Sequence, residues 1–220
     1  MIELKNVTKS FEDGKERRVI LDNVSLRINE GDFLFIKGRS GSGKTTLLNC
    51  IGCLDVFNLG DYYFDSEKVE TNDEFTSSLR SKKIGFIFQH FHLLSRFSVL
   101  ENVLLPTRIA GKIKTDYLNR AIELLSMLEM EDKANALPNT LSGGQSQRVA
   151  IARSLINSPR ILLADEPTGS LDEDSALIVM DTFKRLNEQG VTIALVSHEN
   201  VYQRYASRVV EVKSGGLYES

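Results

Sequence analysis

Eight residues, Gly38-Arg39-Ser40-Gly41-Ser42-Gly43-Lys44-Thr45, stand between an apolar run, Phe33-Leu34-Phe35-Ile36, and a stretch with Leu47, Leu48 and Ile51 at helical spacing. That order restricts the chain to α/β architectures. A short, continuous apolar run bounded by glycine is a strand buried on both faces, and such strands belong to parallel sheets covered by helices. Three more runs have the same character: Ile84 to Phe88, Ile161 to Ala164, and Thr192 to Val196, each ending at a polar or glycine residue. Between the last two, Asp172 is placed to cap a helix. Ala176, Val179, Phe183 and Leu186 form its apolar stripe, and Gly190 stands just beyond its end. Strand, helix, strand is the repeating unit of an α/β sheet.

The rest of the chain reads differently. The first thirty residues alternate, with Ile2, Leu4, Val19, Leu21, Val24, Leu26 and Ile28 apolar, which predicts an antiparallel edge sheet. Arg208 to Val212 and Gly216 to Tyr218 predict a closing hairpin. From about 91 to 157 the pattern is helical with no strand, and Leu118, Ala121, Ile122, Leu125 and Leu128 are expected on one face. With 220 residues, 41% of them hydrophobic, the chain supports one sizeable core carrying a smaller lobe. The expectation is one domain over 1–220: an α/β core and β-subdomain from about 1–90 and 158–220, with a helical subdomain inserted at about 91–157.

The glycine loop fits GxxxxGK[ST] in the strand-to-helix setting that gives this motif meaning. Its glycines allow angles that turn successive N–H groups inward. Those amides and the positive helix end surround nucleotide phosphates, Lys44 sets a charge against the β and γ groups, and Thr45 offers its hydroxyl to Mg2+. ATP or GTP is the expected ligand. Asp165 and Glu166 close the run that begins at Ile161, at the strand end where open α/β sheets bind ligands. Asp165 is placed to hold Mg2+ through water, and Glu166 to take a proton from, or polarise, the water that attacks the γ-phosphate. His198 ends the neighbouring strand, where its imidazole can orient water and sense the terminal phosphate. Gln89 ends the strand Ile84 to Phe88, within reach of Mg2+ or water, and leads directly into the helical lobe. His90 and His92, in an aromatic run with Phe91 and Leu93, are read as packing or partner contacts.

A second glycine loop, Leu141-Ser142-Gly143-Gly144-Gln145, precedes a helix containing Arg148, Val149, Ile151, Ala152 and Leu155. It again supplies exposed amides, a hydroxyl and a helix N-terminus, and is a second anion site. The helical lobe separates it from the first loop, so two chains placed head to tail can close both loops on one nucleotide where a single chain cannot.

Composition narrows the partners. Lys and Arg number 27 against 30 Asp and Glu, a formal charge of −3, which leaves no electrostatic footprint for nucleic acid or anionic lipid. No apolar run approaches the roughly 20 residues needed to cross a bilayer, and Met1-Ile2-Glu3-Leu4-Lys5 lacks a signal-peptide pattern, so a cytoplasmic location without direct membrane insertion is expected. Cys50 and Cys53 have CxxC spacing, but two ligands cannot close a four-ligand zinc site. They are read as small apolar residues one helical turn apart, packing the helix after the phosphate loop.

With these motifs in hand, the chain resembles the ATP-binding subunit of an ABC transporter over essentially its whole length. The resemblance implies a P-loop NTPase (RecA-like) core with an N-terminal antiparallel β-subdomain and an inserted helical subdomain. It assigns Phe11 to the aromatic that stacks on adenine, Gly38 to Thr45, followed by Thr46, to the Walker A loop, Gln89 to the Q-loop, and Leu141 to Gln145 to the signature. Ile161 to Asp165 corresponds to Walker B, Glu166 to the catalytic glutamate, Ser170-Leu171-Asp172 to the D-loop and His198 to the switch histidine. It also implies a homodimer around two Mg-ATP and a separate membrane permease docked near Gln89 to Leu94 and the helical subdomain, with the chain peripheral on the inner face of the membrane.

Ile51-Gly52-Cys53-Leu54-Asp55, Gln89 to Leu94 and Ala164 to Gly169 are similar to the macrolide-exporter and lipoprotein-release group. Exporters of antimicrobial peptides and bacteriocins and cell-division ATPases stand nearby. Phe11 replaces a commoner tyrosine, Val56-Phe57-Asn58 stands where a proline-containing turn is frequent, and Ser170 where asparagine is. At this level two readings remain open: export or extraction of a cargo, and transmission of a signal that regulates a cell-wall hydrolase.

Overall fold

A computed structural model describes residues 1–14, 16–70, 72–110 and 115–219. In chain order the strands are β1 (Ile2–Asp13), β2 (Glu16–Ile28), β3 (Phe33–Lys37), β4 (Leu59–Phe64), β5 (Glu67–Lys68), β6 (Ile84–Phe88), β7 (Ile161–Asp165), β8 (Thr192–Val196), β9 (Arg208–Lys213) and β10 (Gly216–Glu219). The helices are α1 (Lys44–Ile51), α2 (Asp73–Lys82), α3 (Val99–Ile109), α4 (Thr115–Met127), α5 (Gly143–Leu155) and α6 (Glu173–Glu188). Two sheets result. One is antiparallel with order β2-β1-β4-β5; the other has order β10-β9-β3-β8-β7-β6, parallel except for the β10 hairpin.

The four predicted parallel strands form because their side chains alternate between two cores. Phe33, Phe35, Leu162, Ala164, Ile193 and Leu195 point into a core shared with α3, α4, α5 and α6. Leu34, Ile36, Ile161, Leu163, Ala194 and Val196 point to the opposite side, against α1 and the antiparallel sheet. Neither face meets water, so apolar residues are required at every position rather than at every second one. The α/β reading of the sequence holds, and the N-terminal segment is an antiparallel sheet in its own right.

The helical stretch contains α3, α4, α5 and two short 3-10 turns, Glu131–Lys133 and Pro138–Thr140, with no strand among the described residues; 111–114 lie outside them. Ser98 starts α3 with a capping box, its hydroxyl accepting from the Glu101 N–H while the Glu101 carboxylate accepts from the Ser98 N–H.

Several expectations need correction. The buried face of α4 is Ala121, Leu124, Leu125 and Leu128, whereas Leu118 is 41% and Ile122 39% exposed. The packed stripe is centred on the 121–125–128 line with Leu124 as its other edge, which carries Leu118 and Ile122 round toward solvent. Val19 is exposed too, on the outer face of β2. Cys53 is not on the helix with Cys50: α1 ends at Ile51, Gly52 caps it, and Cys53 has φ 56 beyond the end. Both thiols are buried as expected, and burial pushes them up to about 12 and about 11. Sequence reading did not find β4, β5 and α2. Gly60, at φ 88, sits so close to β1 that a Cβ would stand 2.6 Å from the Val7 Cα, and Leu59 is exposed, which breaks the alternation that marks a strand.

Candidate nucleotide site

The parallel strands bring their carboxyl ends to one rim. Register sets Phe88 opposite Asp165, Asp165 opposite Val196, and Val196 opposite Ile36, so Gln89, Glu166, Ser197 and Lys37 form the next row. The loop from Gly38 to Gly43 rises from this rim and delivers Lys44 and Thr45 to the first turn of α1. Gly43 is the N-cap of that helix at φ 106, and a Cβ there would lie 2.9 Å from Ile20 Cγ2. At Gly38 a Cβ would meet the Val212 carbonyl oxygen at 2.6 Å. Only glycine passes these two points without displacing backbone or core.

Lys44 is buried, and its ammonium arches back to donate to the carbonyls of Gly38, 2.9 Å, and Arg39, 3.2 Å. A charge held among neutral carbonyls inside a ring of amides is suited to an anion. The Ser42 hydroxyl in the same loop is buried with no partner, another group that a phosphate oxygen would satisfy. Arg39, Ser40 and Gly41 line a cleft of about 440 Å³ with Arg18, Ile20 and the 211–215 turn. Thr46 follows in the first turn of α1. Phe11 lies across the hairpin from Arg18, with its ring 46% exposed and the Lys9 ammonium 4.6 Å from its centroid.

Thr45 donates its hydroxyl to Asp165 Oδ1 at 3.1 Å, which joins the loop to the end of β7. Burial holds the Asp165 carboxyl above the usual carboxylate range, the Thr45 bond opposes that, the Glu166 charge adds to it, and Lys44 opposes it. Glu166 has φ 46, a left-handed backbone at a non-glycine residue, with its N–H donating to Val196 O at 2.9 Å. Such strain persists where the surroundings fix it and clusters at functional positions. The carboxylate is turned to His198: Glu166 Oε2 accepts the His198 backbone N–H at 3.3 Å and lies 2.9 Å from His198 Nδ1. The acid is mostly shielded and the imidazole mostly exposed, at 17% and 64%.

Gln89 packs against the turn after Glu166. Its carbonyl accepts from the Ser170 hydroxyl at 3.1 Å, and its amide nitrogen would lie 3.0 Å from a Cβ on Gly169. Lys44, Thr45, Asp165, Glu166, Gln89 and His198 are thus gathered along one rim.

The second glycine loop stands elsewhere, and no hydrogen bond among the described residues joins it to the first. Ser142 caps α5 in a capping box: its hydroxyl accepts from the Gln145 N–H at 3.3 Å, and Gln145 Oε1 accepts from the Ser142 N–H at 2.9 Å. Gly144 lies against α6, where a Cβ would stand 2.7 Å from Ser175 Oγ. Asp172 caps α6, accepting from the Ser175 N–H and hydroxyl, bonds that hold its carboxyl below the usual range. Ser142 and Gln145 thus cap α5 between them and Asp172 caps α6, leaving the first amides of α5, those of Gly143 and Gly144, outside the capping box. His90 and His92 are exposed, with the His92 ring 5.1 Å from Phe88 in an edge contact. Sequence reading missed Arg153, whose guanidinium reaches the carbonyls that follow Gln89. Its signal was a charged residue among Ala150, Ile151, Ala152 and Leu155, with no acid within four positions.

A family profile described as ABC transporter matches residues 21–169, from within β2 through the turn after Glu166. The chain belongs to the ABC transporter family. This ABC cassette is 44% identical to an uncharacterised ABC transporter ATP-binding protein, MJ1508, of Methanocaldococcus jannaschii over 220 residues, which is 100% of the chain and 98% of the relative. It is 49% identical to the macrolide export ATP-binding/permease protein MacB of Campylobacter jejuni over 218 residues, 99% of the chain but 33% of that relative, so it spans a third of MacB's length. A dimeric structure of the cassette MJ0796, also from M. jannaschii, superposes with a TM-score of 0.90 at 45% identity, covering 100% of this chain and 98% of the other. A second dimeric structure of that cassette, in a post-hydrolysis state with ADP and Pi, has a TM-score of 0.90 at 44% identity over the same shares. The ABC cassette is an ATPase with the P-loop fold, and its nucleotide is ATP.

Proposed function

We propose that two copies of this chain close head to tail on two Mg-ATP, and that hydrolysis reopens them to drive a separate membrane permease. The cargo class is that of export or extraction: an antimicrobial peptide, macrolide, bacteriocin or lipoprotein. The observation that carries this reading is the separation of the two glycine loops, one holding a buried lysine beside the acidic rim and the other setting an exposed Gly143 at the start of α5 with, among the described residues, no cation or acidic rim of its own beside it. The dimeric MJ0796 cassettes and the MacB relative support it.

In this reading Phe11 stacks on adenine, while Gly38 to Thr46 and Lys44 hold the phosphates. Ser142, Gly143, Gly144 and Gln145 of the partner copy, with its Asp172, complete the site. Thr45 and Asp165, hard oxygen donors 3.1 Å apart, fit a small divalent cation, and Gln89 stands within the same rim. Bound there, Mg2+ would supply charge that neutralises the phosphates. Glu166 accepts a proton from the water whose oxygen attacks the γ phosphorus as the bond to the bridging oxygen of ADP breaks. His198 holds the Glu166 carboxylate and faces the γ-phosphate.

Where the permease docks, a cleft of about 380 Å³ borders the strand that leads to Gln89, walled by Ile84, Phe86, Phe88, Leu105, Pro106 and Ile109. Ile109 is 76% exposed, an apolar side chain that a membrane partner's segment would cover. No helix of the described residues is long and apolar enough to cross a membrane, and membrane attachment runs through the permease. The deciding experiment is the association state of Glu166→Gln at saturating ATP, with site occupancy measured independently. A dimer that dissociates on removing ATP is expected; a fully occupied monomer would sink the sandwich mechanism.

A further inference from the structure

Arg153 is held in an uncommon way. It lies in the last turn of α5, largely shielded from solvent, and burial lowers its pKa from the ordinary arginine range. Its two hydrogen bonds go to neutral carbonyls: Nη1 donates to His92 O and Nη2 to Phe91 O, both at 2.6 Å. A shielded cation without a carboxylate is costly, and such groups are retained for what they position. The two carbonyls belong to consecutive left-handed residues, Phe91 at φ 52 and His92 at φ 48, a conformation that non-glycine residues adopt only where contacts impose it. The strained pair begins two residues after Gln89.

Gln89 is thus fixed from two sides. The turn after Glu166 holds it through the Ser170 hydroxyl and the close approach of Gly169, and the guanidinium holds the backbone that follows it. Arg153 also forms part of the wall of the 380 Å³ cleft, beside Phe88, Leu105 and Asn157. Asn157 Oδ1 there is buried and has no partner. One side chain therefore touches the cleft on one side and the Gln89 turn on the other.

We propose that Arg153 is a positioning residue for ATP hydrolysis: by clamping the Phe91 and His92 carbonyls it sets the Gln89 amide toward the catalytic rim. A segment seated in the cleft meets the same guanidinium and is felt at Gln89. The inference rests on the role given to Gln89 above. It is tested on the 220-residue chain with Arg153→Ala, Arg153→Lys and Gln89→Ala.

Arg153→Ala is expected to lower kcat on the order of ten- to a hundredfold, the scale on which small misplacements act. KM for ATP should stay within about twofold, since the phosphate loop is untouched. Amide hydrogen exchange should rise about tenfold in 90–93, with the parallel strands still protected. Arg153→Lys restores part of both effects, because an ammonium can serve one carbonyl but not the pair. Added to Gln89→Ala, Arg153→Ala should cost nothing further, since both act through one group. Normal kcat with unchanged exchange in Arg153→Ala, or losses that multiply with Gln89→Ala, would overturn the proposal. Should Arg153→Ala unfold, the Lys variant carries the same comparison. Slow Gln89→Ala with normal Arg153 variants rejects this inference alone; a normal rate in Gln89→Ala rejects the role of Gln89 and this inference with it.

Discussion

At Glu166 a left-handed backbone and a 2.9 Å contact to His198 Nδ1 turn one carboxylate out of the strand direction, while Asp165, one residue earlier, is tied to Thr45. Adjacent acids are thereby given different work. Glu166→Gln should lower turnover by about 10²–10⁴-fold, the usual contribution of a positioned base, with ATP affinity unchanged in a fluorescent-nucleotide titration. Asp165 responds differently. Its carboxyl is held above the usual range, so in the nucleotide-free and metal-free fold it takes up a proton at a higher pH than an ordinary aspartate. The stability sign follows: ionising a raised carboxyl works against folding, so this contribution is favourable at low pH and is lost as pH rises through the folded pKa. Asp165→Asn should therefore melt higher than the parent at neutral pH without nucleotide, in calorimetry, while losing hydrolysis. The thiols make a third case. With pKa values of about 11 and 12, Cys53 and Cys50 should resist maleimide at pH 8, on the order of a hundredfold more slowly than a free cysteine, and label fully only after denaturation, as mass spectrometry would record. At this scale the site residues were legible because glycine spacing and paired acids imply chemistry without a fold. Arg153 was not, because its partners are backbone carbonyls, which carry no residue code.

Among elements, β3, β6, β7 and β8 could be read from the sequence because each feeds two cores, which forces an unbroken apolar run. Where an element buries one narrow face the pattern is weaker. On α4 the apolar residues outnumber the buried positions, so Leu118 and Ile122 belong to the apolar pattern and are still exposed. β4 buries only Tyr62 and Phe64, after an exposed Leu59 and Gly60, and β5 is two exposed residues, so the apolar rhythm is too short to announce them. The start of α5 shows a different economy. Ser142 and Gln145 spend their side chains on each other, so the hydroxyl expected to meet phosphate is already a helix cap. Ser142→Ala should destabilise the fold by about 1 kcal/mol through the lost cap. That is a fall in Tm of about 2–4 °C in a chain of this size, read by thermal unfolding. A larger loss of ATPase than of stability would show the hydroxyl serving both duties.

Over the whole molecule, the acidic rim and the apolar cleft are distinct surfaces joined through the Gln89 turn, so under the proposed function mutations should separate hydrolysis from coupling to a permease. In the proposed mechanism, closure of two copies gathers charge-assisted bonds around triphosphate, and these would weaken as salt screens their exposed parts. The ATP-bound Glu166→Gln dimer should accordingly dissociate more readily at about 0.5 M than at about 0.1 M salt in sedimentation velocity, with nucleotide held saturating. The topology has one more consequence. β3 carries the phosphate loop and is made early, yet its two neighbours in the sheet are β8 and β9, which begin at Thr192 and Arg208. On the ribosome, the nascent polypeptide holds a nearly complete set of phosphate ligands with no sheet to mount them on. Competence to grip ATP is therefore expected only once β8 and β9 have been made, and a product terminated before Thr192 should fail to bind nucleotide.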